Sequence, residues 1–420
     1  MRRMWIHLFW LWPATLFGFQ DEPDLRPRVS GWIGAQLLEA EGTTTWLEGG
    51  FGKLQGDAIQ GTNAALRGHL AITWQPSLYF KAYVHGLARS EREEVAGESW
   101  GVTEAYLQTG LFLGRGGRLR LRGGMMFPQT SMEHIDPLWT SPYTLTFSAL
   151  NTWIGEEVRT TGLDLNYHVD VSETTALFAG AAALRDNDTI GAALAWRGFS
   201  LGNRLTVRDE VLPLPPLPSL SDTGPFGVQR DDGTRPLGTD LDDKTGWRAR
   251  IGAEWNGRLL VQYSRLDNRA DRQLYRGEYA WETDFDQVGI SWDFGSNAVW
   301  TFAGEWLDGH TGMGFRRSPN VQISFLAWYG LLSVADAEDR WRLTARYDRF
   351  ETEDLDVRLA SSNADLNQED GRAWTLALFW QPARHWRIGA EFVTGEANRA
   401  AAPDLDLDPE SLQLEARYRW

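Results

Sequence analysis

The final ten residues, Ser411 to Trp420, alternate without a break. Leu412, Leu414, Ala416, Tyr418 and Trp420 share one parity; Gln413, Glu415, Arg417 and Arg419 share the other. Successive side chains on a strand point to opposite sides, so this is a β-strand with one apolar and one polar face. It runs to the last residue, a large aromatic. A soluble edge strand gains little from an exposed terminal Trp, whereas a strand crossing a membrane gains an interfacial anchor.

The same alternation recurs along the chain. Trp247, Ala249, Ile251, Ala253 and Trp255 form one apolar row, with Arg248 and Arg250 on the opposite parity. Trp341, Leu343, Ala345 and Tyr347 form another, opposite Arg340, Arg342 and Arg346. Several rows begin or end in Trp, as the aromatic girdles of a membrane barrel require. The 22 Trp and 43 Gly of the chain suit girdles and close packing in a barrel wall. Tight turns such as Gln75–Ser77, Gly114–Gly117, Asn256–Arg258 and Gln381–Arg384 alternate with long polar links. The expected fold is therefore all-β: a transmembrane antiparallel β-barrel of about eighteen strands, starting near residue 28 and ending with the strand at 411. The eighth and ninth strands, near residues 189 and 200, are the least distinct; merging them and losing one more gives sixteen. Either count leaves an aqueous lumen.

Residues 1–20 read as a secretory signal: Arg2 and Arg3, then an apolar run, then acids from Asp21. The barrel then occupies 21–420, with too little chain before the first strand to form a plug. No other stretch is long and apolar enough for a membrane helix. With no Cys, disulfides contribute nothing. The formal charge of −16 becomes −18 without residues 1–20, which hold two Arg, and argues against nucleic acid as a partner.

The closing strand resembles that of Gram-negative outer-membrane β-barrels. The resemblance implies recognition by the barrel assembly machinery through 411–420, and an outer-membrane setting among lipids and lipopolysaccharide. After the fifth strand, residues 125–157 are too long and too apolar for a free surface loop. Ser148 to Glu156 suits a short helix with a Ser cap. The position resembles the third loop of porins, which folds into the lumen and narrows it. The preceding Glu104–Leu107 strand is similar to strands of phosphate-selective and dicarboxylate-type porins. A homotrimer is a further implication of that resemblance.

The strand leading into this loop places Arg118, Arg120 and Arg122 on one parity, about 6.6–6.8 Å apart. They resemble a porin arginine ladder, and the loop acids Glu133, Asp136, Glu156 and Glu157 are the candidates to face it. Arg204, Arg208, Arg248, Arg250, Arg340, Arg342, Arg346, Arg387, Arg417 and Arg419 also fall on the inward parity, while much of the acid lies in loops such as Asp404–Asp408. A basic lumen favours anions. The expected function is passive diffusion of small polar or anionic solutes; the alternative is a loop-closed barrel acting as an adhesin-like surface binder. His69 and His85 share a parity on adjacent strands but lack a third ligand, so no metal is expected. No cofactor motif appears, and no compact group supports a rim hydrolase, so no catalysis is expected.

Overall fold

The computed structural model describes residues 24–56, 61–90, 98–114, 116–237, 240–295, 298–315, 319–356 and 366–420. The signal segment at 1–20 lies outside these residues. Eighteen strands are present among them: β1 (Asp24–Glu41), β2 (Thr62–Ser77), β3 (Phe80–Arg89), β4 (Trp100–Leu113), β5 (Gly117–Met126), β6 (Thr160–Asp170), β7 (Thr175–Arg185), β8 (Gly246–Trp255), β9 (Leu259–Asp267), β10 (Leu274–Tyr275), β11 (Glu278–Tyr279), β12 (Glu282–Phe294), β13 (Ala298–Gly314), β14 (Asn320–Asp336), β15 (Trp341–Asp354), β16 (Glu369–Ala383), β17 (Trp386–Arg399) and β18 (Glu410–Arg419). All but β10 and β11 join one closed antiparallel ring, in which β9 pairs directly with β12. The ring has sixteen strands, the smaller of the two expected counts. β10 and β11 form a separate two-stranded hairpin.

The strands expected near 189 and 200 do not exist. That stretch holds a buried helix, Ala192–Arg197, set between Gly191 and Gly198. Both glycines have positive φ, 92° and 81°, which a regular strand cannot contain. A short apolar run reads the same way for a strand and a buried helix, so periodicity could not separate them. Arg204 and Arg208 therefore lie on a loop rather than on the inner wall.

The ring closes where β18 pairs with β1, from Glu41 opposite Glu410 to Trp32 opposite Arg419. Trp420 extends it: its N–H donates to the Gly31 carbonyl at 3.0 Å, and the Gly31 N–H donates back at 3.3 Å. Burial along β18 inverts that of a soluble protein. Leu412 and Leu414 are about half exposed, at 48% and 49%, whereas Glu415 and Arg417 are buried, at 5% and 8%. An apolar band faces outwards on every side and the polar parity faces inwards, the arrangement lipid demands of a spanning sheet. Exposed Trp74, Trp255, Trp341, Trp386 and Trp420 sit near strand ends. No helix among the described residues is long and apolar enough to cross a membrane.

Candidate functional site

Backbone without a ladder partner must find its hydrogen bonds elsewhere when buried. The segment between β5 and β6 finds them on the inner wall. Glu391 on β17 accepts from the N–H groups of Leu145 at 2.6 Å and Thr146 at 2.8 Å. Glu305 on β13 accepts from Met132 N–H at 3.0 Å and Asn151 Nδ2 at 2.8 Å. Asp348 on β15 accepts from Ala149 N–H at 3.1 Å. Arg387 donates to the Ser141 carbonyl at 3.1 Å, and Gln413 donates to Thr146 Oγ1 at 2.7 Å. These partners all lie on the β13–β18 arc, across the ring from β5 and β6. Its middle is the helix α1 (Ala149–Glu157), capped as expected by Ser148, whose Oγ accepts from Asn151 N–H at 3.2 Å.

Glu133 organises this loop from within. It accepts from Ser148 Oγ at 2.8 Å, Asn151 Nδ2 at 3.0 Å and Thr144 Oγ1 at 3.1 Å, and it pairs with Arg346 at 2.6 Å. Burial pushes its carboxyl upward, but Arg346, His134 and the Ser148 donors outweigh burial and hold it below the ordinary Glu value. Arg346 also contacts Asp348 at 2.8 Å and the carbonyls of Thr146 and Phe147 at 2.7 and 3.0 Å. Neither member of the Glu133–Arg346 pair has any exposed side-chain surface.

Elsewhere the predicted residues group differently from expectation. Arg122 and Arg248 share one carboxylate, Asp164 on β6, at 3.1 and 3.2 Å. Asp164 stands directly opposite Arg122 in the β5–β6 register. Arg250 donates to Asn166 Oδ1 at 2.9 Å and to the Gln129 carbonyl, and Arg120 donates to the Gln129 side chain. Arg118 lies near the short-turn end, within 3.2 Å of Asp170. Arg340 and Arg342 line a cavity of about 210 Å³ with Asp136, Asp293, Arg387 and Arg419.

The loop acids Glu133, Glu156 and Glu157 do not face the arginines of β5. Glu133 turns to β15. Glu156 pairs with Arg197, and Glu157 accepts from the N–H groups of Gly191 at 2.6 Å and Leu194 at 2.9 Å, capping the 192–197 helix. Burial pushes both carboxyls up to about 7. Among these four acids, only Asp136 lines the cavities. Cross-strand register supplies Asp164 to the ladder, whereas the fold of the loop turns its own acids into loop packing.

Sequence reasoning missed the ion pairs that hold the outer loops. Lys53 contacts Glu369 at 2.8 Å and the Phe199 carbonyl at 3.0 Å, and Arg399 contacts Glu369 at 3.1 Å. Arg89 contacts Glu210 at 2.6 Å, and Arg204 pairs with the same carboxylate. Glu369 and Glu210 read as ordinary flanks of polar links, with no local signal of burial. His69 and His85 do meet, with ring nitrogens 3.0 Å apart.

Residues 266–420, about a third of the chain, match the family described as phosphate-selective porin O and P. The outer membrane channel DcaP of Acinetobacter baumannii superposes with a TM-score of 0.55 at 12% identity, covering 94% of this chain and 97% of that one. The fold is that of the outer-membrane porins. OmpT, an outer membrane protein of Vibrio cholerae solved in a trimer form, superposes with a TM-score of 0.50 at 12% identity, covering 94% of this chain and 99% of that one. No curated protein sequence matches the chain. The family match and the porin-type barrel place the chain in the Gram-negative outer membrane.

Proposed function

We propose that this porin passes small polar or anionic solutes by passive diffusion through a lumen narrowed by the inward loop and lined by arginines. The observation that carries the reading is the group Arg120, Arg122, Arg248 and Arg250 around the single carboxylate Asp164, with Gln129 and Asn166 as neutral acceptors. Guanidinium groups held by neutral partners keep their full positive field inside a low-dielectric wall, which favours anions. A separate void of about 20 Å³ is lined by Arg67, Arg387 and Arg417 against Glu415, so it carries the same excess of positive charge. A homotrimer accords with the trimer form of the Vibrio cholerae relative. Assembly through 411–420, export by residues 1–20 and contact with lipids and lipopolysaccharide belong to the same reading.

A second reading has its own observation. The outer loops bury Trp46, Trp196, Phe199, Leu201 and Trp281 almost completely within the barrel. A barrel sealed by that layer would bind partners at the cell surface, as an adhesin does, rather than conduct. Single-channel recording separates the two. Discrete ohmic steps support the porin; their absence in well-folded protein supports the sealed barrel.

A further inference from the structure

A cavity of about 360 Å³ lies between the inward loop and the wall at the short-turn end of the barrel. Its volume is in the range that holds a small organic ligand. Two half-buried tyrosines, Tyr83 on β3 and Tyr106 on β4, form one wall as a tilted pair with ring centroids 5.0 Å apart. Register places them directly opposite each other. The Lys81 ammonium lies 5.8 and 5.7 Å from their ring centres, and the Arg122 guanidinium lies 5.4 Å from Tyr106. The facing surface comes from the loop and is mostly apolar, including Phe127, Met132, Leu138 and Trp139.

That surface is held rigid. Trp139 stacks between His134, at 3.7 Å and 6°, and Phe127, at 4.2 Å and 8°. Leu138 and Trp139 both have positive φ, 64° and 52°. Two successive non-glycine residues in the left-handed region are strained, and such strain persists only where surrounding structure enforces it, commonly at ligand sites. Glu104, the carboxylate nearest the tyrosines in sequence, is engaged: it accepts from Phe127 N–H at 3.0 Å and lies 3.9 Å from His85.

We infer that this cavity is a binding site for an aromatic monocarboxylate, whose ring lies between the tyrosine pair and the apolar loop surface of Met132, Ile135 and Leu138 while its carboxylate meets Lys81 and Arg122. A flat apolar body suits an aromatic wall faced by an apolar surface. One anionic end suits two cations at the edge of the same wall. A compact inorganic anion would leave the aromatic surfaces unused, and an aromatic cation would meet Lys81 and Arg122 with the wrong charge. The site names a solute class for the proposed porin and rests on that reading for the route by which the solute arrives; binding itself does not require conduction.

Calorimetric titration of the folded full chain in detergent tests the inference, with benzoate as probe and acetate, inorganic phosphate and benzylamine as comparisons. Benzoate should bind at one site about tenfold more tightly than acetate or phosphate, and Lys81→Gln and Tyr106→Leu should each weaken it by about tenfold. Heat-modifiable migration on gels verifies that each variant is a closed barrel. Benzoate binding no tighter than acetate, benzylamine binding more tightly than benzoate, or full benzoate affinity in both variants would overturn the inference. Conductance recorded in parallel keeps the two ideas apart. A conducting barrel without benzoate binding sinks the site alone, and a silent barrel that binds benzoate sinks the diffusion reading alone.

Discussion

Replacing Arg346 by Met should release the loop from the lumen without unfolding the barrel. Arg346 is fully buried and bridges Glu133 on the loop and Asp348 on β15 while donating to two loop carbonyls. Met keeps most of the volume and removes the charge. Two buried carboxylates then lose their cation, and breaking a buried pair from one side costs about 3–5 kcal/mol. At about 1.4 kcal/mol per tenfold, the population of detached loop rises by roughly two to four orders of magnitude. The sixteen-stranded ring keeps its ladder hydrogen bonds, so the loss falls on the loop. Limited proteolysis should cut the variant within 127–158 while the barrel stays heat-modifiable, and single-channel conductance should rise above that of the parent. Unchanged protease resistance together with unchanged conductance would refute both the anchoring role of Arg346 and the placement of the constriction at this loop.

Other outcomes follow from the same geometry. Replacing Arg120 and Arg250 by Gln should shift the reversal potential in a salt gradient towards cations; no shift would remove these residues from the selectivity wall. Glu156 and Glu157 rise from about 4.5 to about 7 on folding because burial disfavours their charge. The folded loop layer therefore holds protons that the open layer releases, and its packing weakens as pH rises from about 4.5 to about 7. The protection factors of the 192–197 amides, taken against the intrinsic exchange rate at each pH, should be larger at the acid end of that window, and Glu157→Gln should flatten the dependence. A Cβ at Gly31 would lie 2.4 Å from the His69 carbonyl and 2.9 Å from the Trp420 ring. Gly31→Ala should thus destabilise barrel closure by about 1–3 kcal/mol, read as a lower melting temperature; an unchanged value would contradict the close approach of β1, β2 and Trp420.

The wall was legible in the sequence because membrane strands carry a strict period of two. The rows at 247–255, 341–347 and 412–420 all turn their apolar parity outwards, as read. Helix α1 and its Ser148 cap were legible for a similar local reason. The buried stretch around Ala192–Arg197 was not, because a core element inside a barrel is apolar on all sides and loses its periodicity. The loop acids were misassigned because their partners are non-local, 213 residues away for Glu133 and 34–41 for Glu156 and Glu157. Glu133 meets Arg346, and Glu157 meets the N-terminus of a helix that alternation had concealed. Asp164 belongs to the ladder through one step of strand register, which pairing β5 with β6 residue by residue could have revealed.

The central claim is a conducting, anion-favouring lumen. Its most direct measurement is the zero-current potential of single channels of the full chain in a planar bilayer with a potassium chloride gradient. Discrete ohmic steps are expected, with a potential whose sign reports chloride as the more permeant ion. Cation selectivity, or no steps from protein that is folded and inserted, would contradict it.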